Sequence, residues 1–274
     1  MGSEKLEKNL GMKQVHEHGF VKLLDVMGND EEVENAARIS YGEGTRKVSQ
    51  ARHLIRYLMR HKHTSPFEMC EVKFNIKLPI FVMRQLVRHR TANLNEYSGR
   101  YSVMSDDFYF PKGKSLKPQS TTNKQGREDG ELHNSGEIEF EIFRILDGAK
   151  TAYHNLIDWN LARELARIIL PVSNYTEVIW KIDLHNFFHV VKLRADDHAQ
   201  QEIQDFANAM YELIKPKFPL CCEAFEDYVI NARTFSQQEM KIIKDNLNGS
   251  WVMSKYGLSE RESKEFLEKL EKED

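Results

Sequence analysis

The chain has 274 residues, 41% hydrophobic and 30% charged, with a formal net charge of −3. The length allows one large domain or two small ones, and the composition suits a soluble globular enzyme or an oligomer subunit. A dedicated nucleic-acid binder is usually basic overall, so a basic cluster in this chain reads as a local site for a small anion.

The first eight residues, Met1 to Lys8, are charged and lack the apolar core of a signal peptide. No apolar run reaches the length of a membrane span. The three cysteines, Cys70, Cys221 and Cys222, are odd in number and show no C-x-x-C spacing. The expected setting is therefore a reducing cytoplasm, with no zinc or dithiol motif. Residues 30–40 predict a short helix with acidic residues in its first turn. A second helix is predicted over 48–62, with Val48, Ala51, Ile55, Leu58 and Met59 as its apolar stripe. Cys70, Val72, Phe74, Ile76 and Leu78 then alternate with Glu71, Lys73, Asn75 and Lys77, the pattern of a half-buried strand. Pro79 ends it and suits a helix start, so a helix follows over 80–90.

Residues 112–136 are polar and read as a long surface loop. An amphipathic helix is predicted over 137–159, with Ile138, Ile142, Leu146, Ala149, Tyr153 and Leu156 inward. Another covers 161–170 and stops at Pro171. Residues 175–182 are β-branched and aromatic and predict a strand. Helices are expected over 184–195, 199–215 and 219–230. Residues 257–274 carry Ser259 and Glu262 in capping-box spacing and predict a helical tail. Few strands among many helices point to one α+β domain.

The chemistry concentrates in residues 88–102, where Arg88, His89, Arg90, Glu96, Ser98 and Arg100 follow an apolar run. Arginines suit forked hydrogen bonding to phosphate, and Gly99 lets backbone approach a ligand closely. A structural ion-pair cluster is the competing reading. Gln85, Arg88 and His89 fall within about one turn of the same predicted helix. Arg194 and His198 are four apart, as are His185 and His189 and also Arg163 and Arg167. Taken alone, each such pair is ordinary on a solvated helix face. The His185–His189 spacing also suits a metal, but no third ligand lies near in sequence, so none is assigned. His61 and His63 precede Thr64-Ser65-Pro66-Phe67-Glu68, a turn-like segment.

Together these segments resemble the flavin-dependent thymidylate synthases, whose central motif reads R-H-R-x-x-S-x-N-E-x-S-x-R. Here it runs Arg88-His89-Arg90, then Asn95-Glu96, Ser98 and Arg100, with Asn93 where serine is usual. The resemblance extends through residues 63–68, Arg84-Gln85, residues 163–167 with Pro171, and residues 193–200. It implies an antiparallel sheet flanked by helices and a homotetramer. Residues 19–230 would form the synthase domain, 1–18 an extension and 231–274 a helical tail. The implied reaction is methylation of dUMP to dTMP. Methylenetetrahydrofolate would give the carbon and FAD the hydride, with NADPH as reductant. By the same resemblance Ser65, Arg88, His89, Arg90, Glu96, Asp183, His185 and His189 would hold FAD. Gln85, Arg88, Glu96, Tyr97, Ser98, Gly99, Arg100, Arg167 and Arg194 would hold dUMP, with Arg194 catalytic. In the family the Glu96–Arg100 loop comes from a neighbouring subunit.

Two other classes use the same residue types. A nucleotide- or nucleic-acid-binding regulator would grip phosphates with the Arg-His-Arg loop, would be colourless, and would lose DNA affinity steeply with salt. A metal-dependent nucleotide hydrolase using His61, His63 and His198 would lose activity to chelators.

Overall fold

The computed structural model describes residues 10–39, 50–121, 126–246 and 260–271. The chain divides into two compact units, Met1–Ile230 and Asn231–Asp274. The first contains strands β1 (Met12–Val15), β2 (Gly19–Met27), β3 (Glu71–Pro79), β4 (Asn93–Glu96) and β5 (Tyr175–Asp183). They form one antiparallel sheet in the order β1-β2-β3-β5-β4. Its helices are α1 (Asp30–Arg38), α2 (Ala51–Arg60), α3 (Ser65–Glu68), α4 (Ile80–Leu86), α5 (Ser135–Asp158), α6 (Arg163–Ala166), α7 (Leu184–Arg194), α8 (Gln201–Ile214) and α9 (Pro219–Phe225). The α+β expectation and the antiparallel sheet are both met.

β3 and β5 are the legible strands. Val72, Phe74, Ile76 and Leu78 are buried and lie opposite Ile182, Trp180, Val178 and Thr176, all buried. Glu71, Lys73, Asn75 and Lys77 occupy the other face, as the alternation predicts. Each strand passes directly into a helix: β3 through Pro79 into α4, and β5 through Asp183 into α7. Because the strands are antiparallel, the two helices start at opposite ends of the sheet, and their C-terminal ends meet where Arg194 Nη2 donates to the Gln85 carbonyl at 3.4 Å.

Three strands were not expected. β2 carries a bulge between Leu23 and Asp25 that breaks its alternation. β1 is four residues long, and β4 is a fully exposed edge strand made of Asn93, Leu94, Asn95 and Glu96. Several helix bounds also need correction. The helix predicted over 80–90 ends at Leu86, and Arg88 and His89 sit in the turn beyond it. The helix predicted over 161–170 is α6 followed by a 3-10 turn, Arg167–Ile169. The one over 219–230 is α9 followed by a π-helical turn, Glu226–Ile230.

The 112–136 loop contains a 3-10 turn at Gly113–Ser115 and a bridge between Gln119 and Arg127. It is pinned at Glu202, which is buried and accepts from Arg127 Nη2 at 2.7 Å and Tyr109 Oη at 2.8 Å. On α5 only Tyr153 is buried, while Ile138, Ile142, Leu146, Ala149 and Leu156 are half-buried. Cys70, Cys221 and Cys222 are free thiols in the core. No described helix is long and apolar enough to cross a membrane. The second unit contains α10 (Gln237–Asn246) and α11 (Glu260–Glu271), and Ser259 of the expected capping box lies outside the described residues.

Candidate active site

The early end of α4 frees Arg88, His89 and Arg90 from the helical repeat. The first cluster forms there. Arg194 Nε donates to His89 Nε2 at 3.0 Å, so that ring nitrogen is an acceptor and the imidazole is neutral. Burial first, then the charges of Arg194 and His189, pull the His89 pKa from 6.5 down to about 4. The rings of His89 and His189 are 6.1 Å apart, edge to face. Burial and the nearby Arg88 lower the pKa of Arg194 as well. A guanidinium remains charged at neutral pH even so. Gln85 Nε2 donates to Gln200 Oε1 at 2.7 Å, which ties α4 to the residue that starts α8.

The second cluster lies along the edge of the sheet. β4 pairs with β5 with Glu96 opposite Val178, and Tyr97 N donates to the Glu177 carbonyl at 2.8 Å. Ser98 then opens a turn, its carbonyl accepting from Tyr101 N and Ser102 N. A Cβ on Gly99 would come within 2.9 Å of Met104 Sδ and 3.1 Å of Arg167 Cδ. A side chain at Gly99 would therefore push the Met104 and Arg167 side chains aside. Glu96, Tyr97, Ser98, Gly99 and Arg167 line a cavity of about 280 Å³ floored by Asn174 and Thr176. Met104, Tyr153 and Ala166 form a small separate core beside it.

The third cluster is an apolar cleft of about 180 Å³ between α2, α7 and α9. Phe67, Phe188 and Phe225 contribute to its walls, and His63, Thr64, His185, His189, Lys62 and Lys192 add polar groups. His189 belongs to both this cleft and the first cluster.

The expected residues thus divide. His89, Arg194 and Gln85 share hydrogen bonds, with Arg88 close enough to act on Arg194. Glu96 to Gly99 and Arg167 share the cavity, and His185 and His189 share the cleft. Within one chain the cavity and the cleft have no lining residue in common. Ser65 is exposed at the start of α3 and does not line the cleft, whereas His63 and Thr64 do. Asp183 caps α7, accepting from Asn186 N at 2.9 Å and Asn186 Nδ2 at 2.7 Å. Arg100 pairs with Glu164 at 3.1 Å. Lys62 and Lys192 were not singled out from sequence, although Lys192 stands three residues after His189 on α7 and so on the same face.

Partner accounting separates the arginines. Arg38, Arg52, Arg56, Arg100, Arg127, Arg144 and Arg261 are ion-paired. Among the described residues, Arg84, Arg88, Arg90 and Arg167 have no carboxylate partner; Arg163 and Arg233 donate to main-chain carbonyls, and Arg194 to His89 and the Gln85 carbonyl. Of these, Arg88 and Arg194 meet at the first cluster and Arg167 lines the cavity, and a guanidinium without counter-charge is suited to an anionic ligand. His198 bonds to Asp196 of its own turn at 2.8 Å. Among the described residues no group of three His, Cys, Asp or Glu side chains could hold a metal ion.

Comparisons with known proteins agree with one another. The family model described as "Thymidylate synthase complementing protein" matches residues 22–220. The flavin-dependent thymidylate synthase of Treponema denticola is 46% identical over 259 residues, covering 94% of this chain and 96% of that protein. The synthase of Wolbachia pipientis is 45% identical over 262 residues, covering 95% and 92%. That of Dictyostelium discoideum is 46% identical over 265 residues, covering 93% and 85%. Among solved structures, the UMP/dUMP methylase PolB from Streptomyces cacaoi, bound with 5-Br UMP, superposes with a TM-score of 0.71. It is 31% identical and covers 79% of this chain and 97% of that one.

Proposed function

The chain belongs to the flavin-dependent thymidylate synthase family, and from that premise we propose how its own residues carry out the reaction. The protein is a methyltransferase that uses FAD to convert dUMP to dTMP. The observation that carries the site assignment is the placing of guanidiniums without a carboxylate partner, Arg88, Arg90, Arg167 and Arg194, at or just beyond the ends of α4, α6 and α7.

The residues present fit a flavin. The cleft offers aromatic walls for a flat ring system, and His63, Thr64, His185 and His189 offer polar contacts at its margin. Arg88 and Arg90 are placed to meet the cofactor's phosphates. When bound, the flavin supplies the hydride that completes the methyl group. Methylenetetrahydrofolate is the proposed source of the carbon and NADPH the proposed reductant.

For dUMP, Arg167 and the Ser98–Gly99 turn hold the phosphate, with Arg88 and Gln85 toward the nucleoside. Arg100 joins them by leaving Glu164, an exposed pair that is weak in water. Arg194 is the catalytic residue. Its charge stabilises the negative charge that develops on the uracil ring when C5 reacts, and the His89 bond fixes its fork in direction. Glu96 and Tyr97 close the site from the edge strand.

We propose that the cavity of one subunit is completed by the His89–Arg194 cluster and cleft of another, in a homotetramer. The separation of the two pockets within one chain supports this. So do the exposed apolar side chains on and after α5, among them Phe140, Phe143, Ile145, Ile168 and Val172. Three buried thiols fit a cytoplasmic setting. The direct test is the absorption spectrum of the purified chain, then of its Arg88→Ala and Arg90→Ala variants. The expected result is a flavin spectrum that both substitutions diminish. Full flavin occupancy in both variants would remove these arginines from the cofactor site.

A further inference from the structure

We infer that Thr176 is a positioning residue for the Glu96 carboxylate, an inference that rests on the proposed place of Glu96 at the nucleotide site. Thr176 lies on β5, opposite Leu78 of β3, and is 3% exposed. Its Oγ1 donates to Glu96 Oε1 at 2.8 Å. The β4–β5 register explains the contact. Glu96 is opposite Val178, so Thr176 is its diagonal neighbour on the same face, within reach of a long side chain.

The two partners differ in stiffness. Thr176 is β-branched, buried and held by strand pairing with Leu78 of β3. Glu96 is exposed on an edge strand, and an unanchored glutamate there samples many rotamers. The hydroxyl therefore orders the carboxylate rather than the reverse. One oxygen is engaged, and the other remains to accept from a ligand in the cavity that Glu96 shares with Ser98 and Arg167. Rotamer freedom lost before binding is not lost during it, so the ordered carboxylate binds more tightly.

Neighbouring bonds tie residues 173–175, at the start of β5, to residues 105–109. Asn174 Nδ2 donates to the carbonyls of Ser105 at 2.8 Å and Asp107 at 3.0 Å. Tyr175 N donates to the Asp107 carbonyl, and Tyr109 N to that of Ser173. Those are main-chain or structural contacts, whereas the Thr176 bond reaches a side chain of the proposed site.

The test uses the full-length flavin-loaded enzyme. Thr176→Val keeps the shape and removes the hydroxyl, and Thr176→Ser keeps the hydroxyl. The expected result is a dUMP KM raised about tenfold in Thr176→Val, the order of one hydrogen bond to a charged group, with kcat at saturating dUMP little changed. Thr176→Ser should lie within about threefold of wild type, since it keeps that bond. In a Glu96→Ala background Thr176→Val should add nothing. A Val variant with wild-type KM overturns the inference, as does a Ser variant as impaired as Val. An undiminished Val effect in an already impaired Glu96→Ala enzyme overturns this inference alone. A Glu96→Ala enzyme with unchanged KM and turnover overturns it together with the site reading. Should the Val chain not fold, Thr176→Ser against Thr176→Ala repeats the comparison, and equal KM values there overturn it.

Discussion

Protonating His89 should weaken the fold and the first cluster together. In the folded chain burial, then Arg194, then His189 hold the ring near a pKa of about 4, against 6.5 when unfolded. The folded value is the depressed one, so the native ring stays neutral where the unfolded ring takes up a proton. Stability from this group is complete above pH 6.5, falls as the pH drops, and is lost near pH 4. At about 1.4 kcal/mol for each tenfold change in proton affinity, the loss reaches at most about 3 kcal/mol. His89→Gln offers Arg194 Nε a carbonyl oxygen that cannot titrate. Urea unfolding of the flavin-free chain at fixed concentration, from pH 8 to pH 4, should show wild type falling relative to His89→Gln by up to about 3 kcal/mol. The difference should be nearly constant between pH 7 and pH 8. A difference that stays flat over the whole range, or a His89 ring that titrates near 6.5 by NMR, would refute the neutral-acceptor reading.

Arg194→Ala should keep its flavin but lose about a hundredfold or more in turnover, and Arg194→Lys should recover little because a point charge cannot replace a fork. Steady-state kinetics at matched flavin occupancy decide it, and near wild-type turnover would shift the role to Arg167. Replacing Cys70, Cys221 and Cys222 together with alanine should preserve dUMP-to-dTMP conversion at a stability loss of about 1 kcal/mol per site. Burial pushes Cys70 to about 11 and Cys222 to about 12, and Cys221 also upward, so none is a thiolate nucleophile at neutral pH. A folded, flavin-bound triple variant without activity would contradict this. Burial alone would raise the pKa of Glu202, but its bonds to Arg127 and Tyr109 outweigh it and hold the carboxyl low. Arg127→Ala should therefore destabilise by about 2 kcal/mol at pH 7, discounted because Arg127 is partly exposed, and Glu202→Gln in that background should restore part of it. Equal urea midpoints for wild type and Arg127→Ala would show that the pin contributes nothing.

β3 and β5 were legible because one face of each is buried over the whole strand, so alternation survives in the letters. β2 was not, because its bulge puts Leu23 and Leu24 side by side and spoils the period. β4 carries no strand signal at all, since Asn93, Asn95 and Glu96 are poor strand formers. It exists through pairing with Lys181 to Val178, a tertiary effect that local propensity cannot reveal. The early end of α4 has the same character: the Gln85 carbonyl accepts from Arg194 Nη2 as well as from Arg88 N. Thr176 was invisible for a related reason, because its role depends on strand register rather than on residue type.

Charge spacing has a deeper ambiguity, and Arg163 and Arg167 illustrate it. Four residues apart, they look interchangeable as a solvated helix face. Folded, α6 closes into a 3-10 turn at Arg167, and the two side chains diverge. Arg163 Nη1 donates to the Tyr101 carbonyl at 2.8 Å and so braces the loop, while Arg167 lines the cavity without a counter-charge. His185 and His189 present the same problem. Their spacing equally suits a metal or a ligand cleft, and Phe188 and Phe225 around them favour the cleft. Which cations lack a carboxylate and face a cavity is a property of the fold, not of the spacing. The Arg-His-Arg motif was legible because its residues cluster in sequence; Arg167, just beyond α6, meets the Ser98–Gly99 turn through tertiary structure alone.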